Sequence, residues 1–221
     1  MKNSYIIAGV VILIVILGFI FTNKDVEAPI ENIGENISSV IFSDGLYELN
    51  ISSSTLSWGG SYLKGITEEG TVNITSGNII VSENMVKEGN FVIDINSIES
   101  ITHKDRLVEH LKSEDFFDVA KFPTADFVLK GIISSNENSP EIKQSIINGD
   151  LTIKGITRPI SFFATITGDE NNLYATASFS INRTDWDIRY NSQIFFGDLG
   201  DKIINDIVTI KLDLNAQKMI Q

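Results

Sequence analysis

The chain has 221 residues, 43% of them hydrophobic, which suffices to bury one sizeable core and favours one domain with an appendage over two domains. Its formal net charge of −12, from 29 Asp and Glu against 17 Lys and Arg, repels polyphosphates, so nucleic acid is not an expected partner. The absence of cysteine removes thiol nucleophiles, thiolate metal sites and thioether lipidation.

Residues 1–22 form the appendage. From 5 to 22 no side chain is charged, and Ile, Val, Leu, Phe, Ala and Gly dominate. As a helix that run spans about 27 Å, enough for a bilayer core. A secretory signal carries a shorter apolar stretch of ~7 to 15 residues that ends in small residues. Here the run is longer and Thr22-Asn23-Lys24-Asp25 follows, so an uncleaved, single-pass anchor in the cytoplasmic membrane is expected. Cleavage near Ala28, leaving a secreted or periplasmic domain, is the alternative. Only the amino terminus and Lys2 carry charge before the helix, which places the rest of the chain on the extracytoplasmic side. Residues 23–44, rich in Asn, Glu and Ser, read as a tether.

Residues 45–217 form the folded unit, where apolar and polar residues alternate as strands with one wet face require. Tyr47, Leu49 and Ile51 share one face; so do Phe91, Ile93 and Ile95. Ile160, Phe162, Ala164 and Ile166 form a cleaner set, followed by Ala175, Ala177, Phe179 and Ile181, and then by Val208, Ile210, Leu212 and Leu214. Turns are expected at Thr75-Ser76-Gly77-Asn78, at Lys87-Glu88-Gly89-Asn90, over 134–140, and at Asp169-Glu170-Asn171-Asn172. Eight to ten strands result.

One helix is expected, from about His103 to Phe117, with Leu107, Leu111 and Phe117 near one face. Parallel pairing needs a crossover between strands, so a chain with one helix builds a mainly antiparallel sheet. One helix also cannot cover so many strands. The apolar faces must therefore cover one another in a sandwich or a closed barrel, and a barrel of about eight strands is wide enough for one small ligand.

A search for catalytic chemistry finds little. No Gly-x-Ser-x-Gly elbow, phosphate loop or dinucleotide fingerprint occurs, and no cofactor is expected. His103 and His110 stand about 10 Å apart along a helix, too far to share a metal. They read as surface or capping residues, and Asp115 and Asp118 beside Glu114 read as a solvated acidic face. Trp58, Phe91, Phe116, Phe117, Phe122, Phe127, Phe162, Phe179 and Trp186 either fill a core or line a cavity, and an apolar lumen without polar convergence suits a hydrocarbon ligand.

The segment Glu109-His110-Leu111-Lys112-Ser113-Glu114-Asp115-Phe116-Phe117-Asp118-Val119, followed by Phe122-Pro123-Thr124-Ala125-Asp126-Phe127, resembles the YceI-like family. Three more segments agree in order: Phe91-Val92-Ile93-Asp94-Ile95-Asn96-Ser97-Ile98, then 149–160 from Gly149-Asp150-Leu151 to Arg158-Pro159-Ile160, then Phe179-Ser180-Ile181-Asn182-Arg183-Thr184-Asp185-Trp186. The likeness spans about 45–216. It implies an all-β fold, an extended antiparallel eight-stranded lipocalin-like barrel with one short helix, that holds a long isoprenoid in its lumen and is exported. Departures stand at Val108, Asp187 and Glu69, where the family commonly has Asp, Gly and His, and they bear on head-group contacts.

Carried onto this chain, the resemblance and the aromatic pattern name Trp58, Phe91, Ile93, Ile98, Leu111 and Phe116 as ligand-binding candidates, together with Phe117, Phe127, Phe162, Phe179, Arg183 and Trp186. Pro123 is expected to start a strand, and Gly149 and Gly155 to bracket Leu151 and Ile153 in a strand that turns sharply at both ends. Arg183 either pairs with an acid such as Asp185 or Asp150 or meets a ligand phosphate. The expected partners are an isoprenoid lipid (polyprenol, polyprenyl phosphate or isoprenoid quinone) and the membrane through the N-terminal helix; a homodimer stays open. Two other readings remain: a lipid-directed hydrolase or isomerase using His110 turned into the lumen, and a stalked protein-binding module whose lumen is packed solid.

Overall fold

The computed structural model of the chain describes residues 42–102, 104–134, 143–196 and 200–220. The apolar run at 5–22, the tether before residue 42, His103 and the turn at 135–140 lie outside the described residues. Among the described residues no helix is long and apolar enough to cross a membrane.

The described residues form nine strand segments and one α-helix, in order β1 (Gly45–Leu49), β2 (Thr55–Ser61), β3 (Thr67–Ser82), β4 (Met85–Ser100), α1 (Lys104–Lys112), β5 (Thr124–Ser134), β6 (Lys143–Ile153), β7 (Ile156–Gly168), β8 (Asn172–Asn182) and β9 (Ile207–Lys218). From β2 to β9 each strand pairs antiparallel with the next, and β2 closes the ring on β9. β1 pairs with the same two neighbours as β2, Glu48 opposite Asn78 and Ser57 opposite Thr71 on β3. β1 and β2 are therefore one stave, broken by a 3-10 turn at Ile51–Ser53, and the closed barrel has eight. The break is made by Asn50, whose Oδ1 accepts the Ser53 N–H at 3.3 Å and the Ser52 hydroxyl at 2.7 Å. Ile51, expected on the inner face, is consequently turned outward and 49% exposed.

Two expected turns fall inside long strands. Residues 75–78 belong to β3 and 87–90 to β4, each 16 residues and so about 50 Å of extended chain. The true hairpin turn is Glu83-Asn84, both at positive φ (55° and 57°), as a tight two-residue turn requires. Gly77 is there for space: an added Cβ would lie 2.7 Å from the Phe91 ring across the ladder. Gly149 likewise sits mid-strand in β6, under the Phe127 ring, while Gly155 does turn, at φ +70° beside Lys154. Gly77 and Gly149 therefore mislead as turn signals, since each leaves room for an aromatic ring across the ladder.

The helix is shorter than expected. α1 ends at Lys112, and residues 113–122 form a knuckle of tight turns, with Phe116 N–H on the Ser113 carbonyl at 3.1 Å and Phe122 N–H on the Asp118 carbonyl at 2.9 Å. Pro123 then leads into β5, its carbonyl accepting the Ile95 N–H at 2.9 Å. Leu107, Leu111 and Phe117 all pack inward, as the helical face predicts.

At the opposite end the barrel is plugged. Phe42, Tyr47, Val81, Leu173 and Ala216 are packed together and buried. The Tyr47 hydroxyl lies 2.9 Å from the Ser43 carbonyl and 3.3 Å from that of Glu170, so the one polar atom carried into this floor is satisfied.

Candidate ligand cavity

The inner faces of the staves do not meet. They enclose a cavity of about 290 Å³, larger than the dry ~150 Å³ voids that hold benzene-sized guests. It runs from Ile166 and Leu173 above the floor to Leu107, Leu111, Phe116 and Phe117 beneath α1 and its knuckle. A solid lumen, as a packed surface module requires, is thus not what the barrel has.

All twelve residues named from sequence line this cavity, including Trp58, Ile98, Phe127 and Trp186. β4 contributes Phe91, Ile93, Ile95 and Ile98, and β9 contributes the alternating set from Val208 to Leu214. Aromatic rings run along one side: Phe91 to Phe127 at 6.3 Å, Phe127 to Phe162 at 5.9 Å, and Phe162 to Phe179 at 4.1 Å between centroids. At the helix end Trp186 is buried, and its Nε1–H donates to the Leu151 carbonyl at 3.0 Å.

The polar lining groups are few and stand mostly at the end near α1: Ser61, Tyr62, Glu68, Arg183 and Asn205. Glu68, the second residue of β3, is buried and accepts a hydrogen bond from the Thr102 hydroxyl. It was not foreseen from sequence, although stepping back by twos from Val72 and Ile74 puts it on the inner face.

Arg183 is committed to the fold. Its guanidinium is 2.9 Å from Asp206 Oδ1 and donates to the carbonyls of Ile188 (2.8 Å), Asn205 (3.2 Å) and Ile204 (3.2 Å). The other Asp206 oxygen accepts from the buried Ser192 hydroxyl at 2.8 Å. The expected partners Asp185 and Asp150 are engaged elsewhere or facing solvent: Asp150 pairs with Lys130 at 3.3 Å, and the backbone carbonyl of Asp185 accepts from Arg158. Burial pulls the Arg183 pKa below its usual range, while Asp206 opposes that shift. The resulting knot ties the 3-10 turn Arg183–Trp186 to the strand that returns as β9.

His110 does not line the cavity. Its ring lies edge-on between Phe116 (5.0 Å) and Tyr190 (4.5 Å), with Nε2 3.0 Å from Asp115 Oδ2. Asp118 instead pairs with Lys121 at 2.9 Å, so Asp115 and Asp118 are held by different partners.

A sequence profile of the YceI-like domain matches residues 47–216. A UPF0312 protein of Pseudomonas putida (strain W619) is 27% identical over 127 residues, which cover 58% of this chain and 64% of that protein, so this chain spans just under two thirds of that relative's length. A UPF0312 protein of Pseudomonas fluorescens (strain SBW25) is 33% identical over 87 residues, 37% of this chain and 43% of that one. Among solved structures, Burkholderia cenocepacia BcnA superposes with a TM-score of 0.61 at 18% identity, covering 76% of this chain and 98% of BcnA. A polyisoprenoid binding domain from Saccharophagus degradans, implicated in plant cell wall breakdown, superposes with a TM-score of 0.62 at 16% identity, covering 78% and 98%. At such identities the two superpositions speak for the shared fold.

Proposed function

The chain belongs to the YceI-like family, and from that premise and the shape of its cavity we propose that the barrel binds a long isoprenoid lipid and sequesters or carries it outside the cytoplasmic membrane. The observation that carries the reading is the lining: aliphatic and aromatic side chains from every strand from β2 to β9 turn inward, from Ile166 and Leu173 at the floor to Leu111 and Phe117 at the far end, with the polar groups mostly at that far end. Each buried CH₂ contributes about 0.8 kcal/mol, so a long chain gains affinity without charged contacts. A polyprenol, a polyprenyl phosphate and an isoprenoid quinone share that chain and differ at the head, which would sit near Glu68 and Asn205.

The twelve sequence-named residues act as its contacts in this reading, Arg183 chiefly by holding the wall rather than by meeting a phosphate. The apolar run at 5–22 serves as the anchor that keeps the barrel near its lipid source. Binding without turnover is the activity proposed, since His110, the only described histidine, faces away from the lumen.

Native mass spectrometry with lipid extraction, on the full chain purified from a host that makes isoprenoids, tests this. A bound isoprenoid that disappears in Phe127→Asp or Phe179→Asp, with the β-rich circular dichroism retained, is the expected result. An empty protein that also refuses added decaprenol overturns it.

A further inference from the structure

The barrel wall is hydrogen-bonded unevenly. β6 and β7 pair over eleven residue pairs and so do β8 and β9, but β7 and β8 pair only where 164–168 face 173–177. Towards the α1 end, 156–163 of β7 and 178–182 of β8 run on without a ladder between them. Directly behind this split stand Ile160 and Phe162 on one side and Phe179 and Ile181 on the other, all lining the cavity.

Side chains, not backbone, hold the two edges together. Inside, the Phe162 and Phe179 rings stack at 4.1 Å. At the end of the split Arg158 Nε donates to the Asp185 carbonyl at 3.1 Å and Lys154 Nζ to the Asp187 carbonyl at 3.3 Å. Pro159 lies in the unpaired length of β7 and has no N–H to offer. Outside, Ser161, Phe163, Ser178 and Ser180 border the split, all exposed and all uncharged in a chain of net charge −12.

We propose that this split is a lateral portal through which a long apolar chain slides sideways into and out of the lumen. Widening it breaks a ring stack and two exposed side-chain bonds, whereas parting β6 from β7 or β8 from β9 breaks a continuous backbone ladder. A ligand as long as the barrel then need not be threaded end-on past α1. Two other interruptions exist. Over 72–77 β3 has no ladder to the broken first stave, but the buried Leu49 side chain packs against Gly77 and fills that gap. β4 and β5 pair only over 90–94 and 124–128, but Lys87, Glu88 and Lys130 flank that gap and would be stripped of water by a passing hydrocarbon. The ligand class rests on the function proposed above; the portal itself does not.

Because the chain has no cysteine, a reducible bismaleimide can tether Ser161→Cys to Ser180→Cys, which oppose each other when the ladder register is continued across the split. Thr165→Cys with Thr176→Cys, a true ladder pair, is the control. Loading of the full chain from detergent-dispersed decaprenol is followed by mass spectrometry of extracts, and uptake of the apolar dye N-phenyl-1-naphthylamine by fluorescence. The expected result is loading slowed about tenfold or more by the first tether, restored when dithiothreitol cleaves it, and unchanged by the control tether. Equal rates for both probes with and without the first tether overturn the portal and leave lipid binding standing. Dye uptake that obeys the tether in a chain that refuses decaprenol supports the portal and overturns isoprenoid carriage.

Discussion

Phe162 and Phe179 stack across the place where β7 and β8 part, two residues beyond the last ladder pair on each strand, with ring planes 11° from parallel. Their coupling should be measurable as a double-mutant cycle with Phe162→Leu and Phe179→Leu in chemical denaturation. An interaction energy of about 0.5 to 1.5 kcal/mol is expected, and additive losses would show that the rings do not hold the edges together.

Gly70→Ala should destabilise the barrel by at least about 1 to 3 kcal/mol, because the new methyl overlaps the Glu99 carbonyl and the Trp58 indole lying over this glycine. Trp58 also donates to that carbonyl, at 3.2 Å, so its fluorescence reports the displacement. An unshifted emission maximum with unchanged stability would contradict the packing described.

Asp206→Ala removes the charge partner of a guanidinium that is 4% exposed, and a loss of about 3 to 5 kcal/mol is expected. Arg183→Lys should be nearly as costly, since an ammonium cannot reach three carbonyls and a carboxylate in that geometry. Thermal denaturation of the two variants decides it.

Stability should fall with alkali through Tyr47. Burial raises its phenol above the ordinary 10.0, so the folded chain keeps a proton that the unfolded chain releases. The contribution is complete below pH 10.0 and is lost as pH rises past it. Tyr47→Phe should flatten the alkaline slope of the denaturation midpoint, and an unchanged slope would assign the titration elsewhere.

The acid side runs the other way. Asp169 accepts the backbone N–H groups of Asn171 and Asn172, which with the Asn172 side chain hold its pKa below the ordinary 3.8. Its stabilisation is present above pH 3.8 and fades as pH falls through the lowered value. Melting temperatures of the wild type and Asp169→Ala should therefore converge in acid.

Where a strand alternates without interruption, the fold could be read directly. The sets from Ile160, Ala175 and Val208 face inward as their periodicity requires, and with one helix available they could close only on one another. The first half of the barrel resisted. Register shifts between Thr71 and Asn73 and between Ile74 and Ser76 break the period of two, and Gly77 looks like a turn because sequence cannot tell a glycine that bends from one that yields space. The cavity aromatics were legible as apolar residues in phase. The Asp206 partner of Arg183, 23 positions away, and the unpaired edges of β7 and β8 leave no local pattern, since a missing ladder depends on how neighbouring strands diverge in space.

The first and last strands meet at the plugged floor: Tyr47 pairs with Lys218, and the Met219 N–H reaches the Leu46 carbonyl at 2.8 Å. The first and last strands of the barrel thus end side by side at the floor, opposite α1 and the polar end of the cavity. Joining residue 219 to residue 45 by a few linker residues and reopening the chain at Lys154-Gly155 would move both ends of the barrel to the α1 side without cutting a strand.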